Sequence, residues 1–132
     1  MKTEKFLGKD NIIAVVGATI NKEKWGYKVY KALKRAFPVV YAVNPKYKEI
    51  EKDKCYPGLK SLPEKPDVVI TVVPPKITGT VVKVCRELGI SKVWMQPGSE
   101  SKKAVGFCKK NMIEVVYNAC FVVDGLKTKF FK

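Results

Sequence analysis

Histidine is absent from the chain, and its absence removes Ser-His-Asp and Cys-His catalysis and every His-containing zinc site. Cysteine is sparse and unpaired. Cys55, Cys85, Cys108 and Cys120 form no Cys-x-x-Cys pair, so a zinc ribbon is disfavoured. The start, Met1-Lys-Thr-Glu-Lys5, lacks the apolar stretch of a signal peptide, so buried free thiols are expected rather than a disulfide framework. No apolar run approaches the roughly 18 residues that a membrane-spanning helix needs. Glycine and proline number only 9 and 8, which excludes collagen-like or low-complexity chains. Acidic residues are few as well: 12 against 26 Lys and Arg, a net charge of +14. That excess favours an anionic partner, either nucleic acid, an acidic membrane surface or a phosphorylated small molecule, unless it is only a solubilising surface. Just two of the 26 basic residues are arginine, Arg35 and Arg86, which weighs against base readout by arginine forks.

What is present reads as one globular domain, residues 1–132, expected in the cytoplasm. Residues 11–17, Asn-Ile-Ile-Ala-Val-Val-Gly, form a short apolar run ending in glycine, as a strand buried on both faces does. From Trp25 the apolar positions Val29, Ala32, Leu33, Ala36 and Phe37 recur at helical spacing, and Pro38 ends that helix. Residues 39–43 are a second strand, closed by Asn44-Pro45. A polar segment, 46–54, leads to a turn at Tyr56-Pro57-Gly58 and a short helical piece near 59–62. Residues 67–73, Asp-Val-Val-Ile-Thr-Val-Val, are the strongest strand signal, stopped by Pro74-Pro75. A helix over 77–88 stops at Gly89, a strand follows at 92–95, and Ser99 or Ser101 caps another helix. A fifth strand lies at 114–117, and the tail from Cys120 has no clear assignment. Alternation of this kind predicts an α/β doubly wound, mainly parallel five-stranded sheet with helices on both faces.

In such sheets ligands bind beyond the carboxyl ends of the strands, where strand order reverses. Four segments fall there. In the first, Gly17 allows close backbone approach, Thr19 offers a hydroxyl and the following helix start suits a pyrophosphate, although both Gly-x-Gly-x-x-Gly and the P-loop pattern fail. After the second strand stands Val43-Asn44-Pro45-Lys46, where nicotinamide and flavin sites usually carry an acid for the ribose hydroxyl. Lys46 fits a phosphorylated ribose, as in NADP or coenzyme A. A solvated turn lysine meets the same description, with Lys48 two residues on. Val73-Pro74-Pro75 offers an apolar edge for adenine, or Pro75 is simply the first helical residue. Gln96-Pro97-Gly98 offers an amide and open backbone. No acid or base stands beside a nucleophile in any of the four.

Four stretches together, Val15-Val-Gly-Ala-Thr19, Ala42-Val-Asn-Pro-Lys46, residues 67–75 and Val93-Trp-Met-Gln-Pro-Gly98, resemble the CoA-binding domain of the Rossmann type. That domain is found at the N-terminus of the succinyl-CoA synthetase alpha subunit and in small stand-alone proteins. The resemblance implies coenzyme A as ligand, with Gly17, Ala18, Thr19, Ile20 and Lys24 at the pyrophosphate and nearby pantetheine. It places Asn44, Pro45 and Lys46 at the 3′-phosphate, Val73, Pro74 and Pro75 at the adenine, and Gln96 and Gly98 at the pantetheine end. The synthetase's phosphorylated histidine has no counterpart in these residues, so ligase activity is not carried over. The family's late Arg and Cys appear here as Asn118-Ala-Cys120, with the arginine lost; Cys120 either faces the CoA thiol or is a small buried thiol. The expectation is a binder of CoA or an acyl-CoA without catalysis of its own, with no specific nucleic acid, no membrane, and room for a protein partner or a homo-oligomer. The alternatives are a subunit of an NADP- or acyl-CoA-dependent enzyme and a basic nucleic-acid-binding module.

Overall fold

The computed structural model describes residues 3–127. Its strands are β1 (Ile13–Val16), β2 (Val40–Val43), β3 (Glu49–Ile50), β4 (Asp53–Tyr56), β5 (Val68–Thr71), β6 (Lys92–Met95) and β7 (Glu114–Val116). They form one 7-stranded sheet in the order β3-β4-β2-β1-β5-β6-β7. Every pairing is parallel except that of β3 with β4. Three helices complete the doubly wound pattern: α1 (Trp25–Ala36), α2 (Pro75–Leu88) and α3 (Lys102–Lys110). Strand order reverses between β1 and β5, as the alternation of strand and helix requires for helices on both faces.

Alternation along β1 sends Ile13 and Val15 to one face and Ala14 and Val16 to the other, and all four are buried. The first face packs on Val29, Tyr30, Ala32 and Leu33 of α1; the second packs on Val81, Val82 and Cys85 of α2 and on Ala104, Val105 and Cys108 of α3. Helix ends follow the expected chemistry. Pro75 opens α2, Gly89 closes it at φ 74°, and Ser101 caps α3 by accepting from the Ala104 amide at 3.0 Å. Ser99 is instead buried against β5, with its Oγ 2.9 Å from Thr71 Oγ1.

The tail from Cys120 turns back over the first core as one wide helical turn, Phe121–Gly125, which buries Phe121 and Val122. The Trp94 ring is held between Phe6 and Phe121, edge-on to both at 5.7 and 4.8 Å between centroids, and its indole N–H donates to the Ala119 carbonyl at 2.8 Å. Among the described residues no helix is long and apolar enough to cross a membrane.

The departure from the five expected strands is the hairpin β3–β4, which extends the sheet beyond β2 within the segment read as polar. Its outer residues Glu49 and Lys54 are exposed, while Ile50 and Cys55 point into the first core. Its two-residue turn, Glu51-Lys52, has both residues left-handed at φ 52° and 72°. Such turns usually carry Asn-Gly or Asp-Gly, and that signal is missing here. Helix α1 holds the hairpin: Tyr27 OH and Lys31 Nζ both donate to Glu51 at 3.0 Å, and Tyr30 OH donates to Asp53 at 3.0 Å.

Lys52, exposed and left-handed, is the place where this turn is strained. A left-handed non-glycine residue costs roughly 1–2 kcal/mol and glycine's extra chain entropy roughly 0.5–1. Lys52→Gly is therefore expected to stabilise the fold by about 0.5–1 kcal/mol, read as a higher urea midpoint at unchanged slope.

Candidate functional site

The carboxyl ends of β1 and β5 meet at Gly17. It sits at φ +103°, and a Cβ there would lie 2.2 Å from the Val72 carbonyl oxygen. Its own carbonyl faces the first turn of α1, where a Cβ on Gly26 would come within 2.1 Å of it. The close strand–helix contact that the familiar glycine fingerprint supplies five residues after its first glycine is here supplied by Gly26, nine residues on. No short motif could have marked it, but the absence of a side chain in the first helical turn was a signal in plain view.

Between these glycines the loop is internally tied. Thr19, almost fully buried, accepts from the Asn21 amide at 3.2 Å and shares a 3.0 Å hydrogen bond with Tyr47 OH. Asn21 Oδ1 in turn accepts from the Glu23 amide at 3.1 Å. Asn44 joins this loop to the end of β2: its Nδ2 donates to the Ala18 carbonyl at 2.9 Å and its Oδ1 accepts from the Lys46 amide at 2.9 Å. Ala18 and Asn44 are thus brought together, and Lys46 is positioned through its backbone, with its side chain exposed. Lys24, also exposed, precedes α1 in extended conformation, and no side chain caps that helix. Tyr47 was not anticipated; it lay in a segment read only as polar.

Beside the glycine contact is a cleft of about 150 Å³ lined by Trp25, Val72, Gln96, Pro97 and Cys120. Trp25, 53% exposed, gives it an apolar edge. Gln96 is buried and engaged at both ends of its amide: Nε2 donates to Cys120 Sγ at 3.2 Å, and Oε1 accepts from the Phe121 amide at 2.7 Å. The side chain read as an open ligand contact therefore latches the tail. Gly98 lies beyond it at φ +94°, its amide donating to Glu100. Val73 is half-buried beside Gly17, and Pro74 is exposed as the residue that caps α2. Pro75 faces away, into a groove between α2 and α3.

The four cysteines divide by surroundings. Cys55, Cys85 and Cys108 are buried, and Cys120 is half-buried and lines the cleft. Burial pushes the Cys85 thiol up to about 12 and Cys108 to about 11, and raises Cys55 against a smaller opposing effect of its hydrogen bond to the Asn44 carbonyl.

A glycine-ended β1, a helix start pressed against it and a cleft at the strand-order reversal define a Rossmann-like domain. The chain belongs to the CoA binding domain family, which it matches over residues 11–125. It is 42% identical over 74 residues to ADP-forming acetate–CoA ligase I of Archaeoglobus fulgidus, a match covering 56% of this chain and 11% of the ligase. It is 32% identical over 112 residues to the alpha subunit of ADP-forming acetate–CoA ligase II of Pyrococcus furiosus, covering 80% of this chain and 24% of the subunit. The chain thus spans less than a quarter of the length of these curated relatives. Among solved structures, a conserved hypothetical protein from Pyrococcus furiosus superposes with a TM-score of 0.80 at 41% identity, over 86% of this chain and 97% of its own.

Gly26→Ala forces a methyl into the Gly17 carbonyl and should cost about 1–3 kcal/mol, the range for overpacking, read from denaturant midpoints. In the native protein near pH 8, iodoacetamide followed by mass mapping should label Cys120 well before Cys55, Cys85 and Cys108. Equal labelling of all four would contradict the burial described.

Proposed function

We propose that the chain binds coenzyme A, or an acyl-CoA, at the carboxyl ends of β1, β2, β5 and β6, and does so without catalysis of its own. The observation that carries this reading is the family match over residues 11–125. The geometry supports it. Helix α1 starts with no side-chain cap and no acid in its first turn, so a pyrophosphate held by Gly17, Ala18, Thr19, Ile20 and Lys24 would meet backbone amides and the positive end of the helix dipole. At the end of β2, Asn44 and Pro45 present Lys46, in place of an acid, toward a ribose that carries a 3′-phosphate. Val73 and Pro74 give the adenine an apolar edge, whereas Pro75, which faces the groove between α2 and α3, takes no part in it. The cleft between Trp25, Val72 and Gln96, with Gly98 beyond, takes the pantetheine, whose thiol would then approach Cys120.

The relatives are ligases, or subunits of ligases, and their activity belongs to far longer chains. In this chain no histidine is available to carry a phosphoryl group. A second reading rests on the Pyrococcus alpha subunit: that this domain presents CoA to a partner which supplies the reacting group. Under either reading the protein works in the cytoplasm, and nucleic acid binds it only weakly and without sequence preference, through its +14 charge.

Titration calorimetry with CoA, dephospho-CoA and NAD tests the proposal. CoA should bind and NAD should bind far more weakly. A charge-assisted hydrogen bond to phosphate is worth roughly 1.5–3 kcal/mol, so Lys46→Ala should weaken CoA by about 10- to 100-fold and leave dephospho-CoA nearly unchanged. NAD binding as tight as CoA would overturn the ligand assignment. A coupling between mutation and dephosphorylation below about 0.5 kcal/mol would return Lys46 to the solvated surface.

A further inference from the structure

A second concavity, larger than the cleft, lies on the other face of the sheet. It is a half-open groove of about 370 Å³ between α2 and α3. Its base is apolar, made by Val82, Ala104 and Phe107. Its rim is cationic: Lys76, Lys83 and Lys103 line it, all three are exposed, and no Asp or Glu lines it. Ion pairs are formed by Lys5, Lys31, Lys34 and Lys60, but by none of these three among the described residues. The three rim ammoniums therefore have no ion-pair partner among the described residues.

Gly79 adds an independent feature. It sits inside α2, where glycine is a poor helix former, and it lines the groove. A Cβ placed on it would meet nothing within 4 Å, so the fold itself makes no demand for glycine there. The missing side chain keeps the groove deep at that point. The stretch of α2 that lines the groove, from Pro75 to Lys83, runs about 12 Å at 1.5 Å per residue, enough for two turns of a docked helix or a few extended residues.

We infer that the α2–α3 groove is a docking site for an acidic polypeptide segment of a partner protein, one that places one or two apolar side chains on the Val82–Phe107 base and its carboxylates against Lys76, Lys83 and Lys103. Charge complementarity selects the occupant, and the apolar base selects polypeptide over nucleic acid, whose phosphates would leave that base unfilled. The half-open shape suits a chain laid along it rather than an enclosed small molecule. The site is separate from the cleft at β1 and β5 and does not depend on what that cleft binds.

The test is selection from a phage-displayed library of random 12-residue peptides against the purified chain. The expected result is enrichment of peptides with Asp and Glu flanking Leu, Ile, Phe or Trp. Binding of the selected peptides should weaken at least tenfold in Gly79→Trp, which fills the groove, and in Lys83→Glu/Lys103→Glu, which reverses its rim; the second variant serves if the first does not fold. CoA titrations of both variants should match the parent, and saturating CoA should not displace the peptides. Selected peptides without acidic bias, no enrichment at all, binding to the folded variants as tight as to the parent, or displacement by CoA would each overturn the inference. Duplex DNA whose binding is lost in the charge-reversal variant, with no peptide selected, would overturn it in favour of a nucleic-acid face. Because the variants lie outside the cleft, failure of CoA to bind the parent would leave the peptide result fully readable.

Discussion

At the end of β1 the backbone of residue 17 is pressed from two sides, by the Val72 carbonyl of β5 and by the first turn of α1 at Gly26, at separations that leave no space for a Cβ on either glycine. The positions of the surrounding loops follow from this contact. With α1 drawn against the sheet, residues 18–24 must arch outward to make the connection, which puts Thr19 within reach of Tyr47 and the Ala18 carbonyl within reach of Asn44. Asn44 then fixes the Lys46 backbone, so the second loop takes its course from the first. The cleft beside Val72 and Trp25 lies where β1 and β5 diverge into opposite crossovers.

Much of this architecture was legible in the chain because both faces of the central strands are covered. Buried parallel strands read as unbroken apolar runs, and residues 13–16, 40–43, 68–70 and 93–95 stand out for that reason. The helix stops at Pro38 and Gly89 were equally plain, because each is enforced by backbone chemistry rather than by packing. The hairpin escaped because its burial is one-sided and its turn is held open by Glu51 and Lys52, residues with no left-handed preference; what stabilises it is Tyr27, Tyr30 and Lys31 reaching across from α1. Tertiary contacts of this kind leave no local trace.

The site shows the same division. Residues whose position is set by strand topology, such as Gly17 at the end of β1 and Val73 beyond β5, could be located from the alternation of elements alone. Residues whose role comes from side-chain geometry could not. Gln96 lines the cleft, but its amide is engaged within the protein, because Phe121 and Cys120 return from the far edge of the sheet. Thr19, read as offering a hydroxyl, is almost fully buried, and that hydroxyl also joins two loops through Tyr47.

The aromatic stack of Phe6, Trp94 and Phe121 also bears on how the chain reaches this state. Phe6 precedes the first strand and Phe121 follows the last, and both close over the same indole, with Leu7 against Gly125 alongside. The pairings β1–β2 and β5–β6 can form as soon as their crossovers exist, but the first core joins segments more than a hundred positions apart. Loop closure over that separation is an entropic demand that local contacts do not meet. The ring of Phe6 is therefore covered only once residue 121 has been brought back to it, which makes this stack a contact of long loop closure rather than of local pairing.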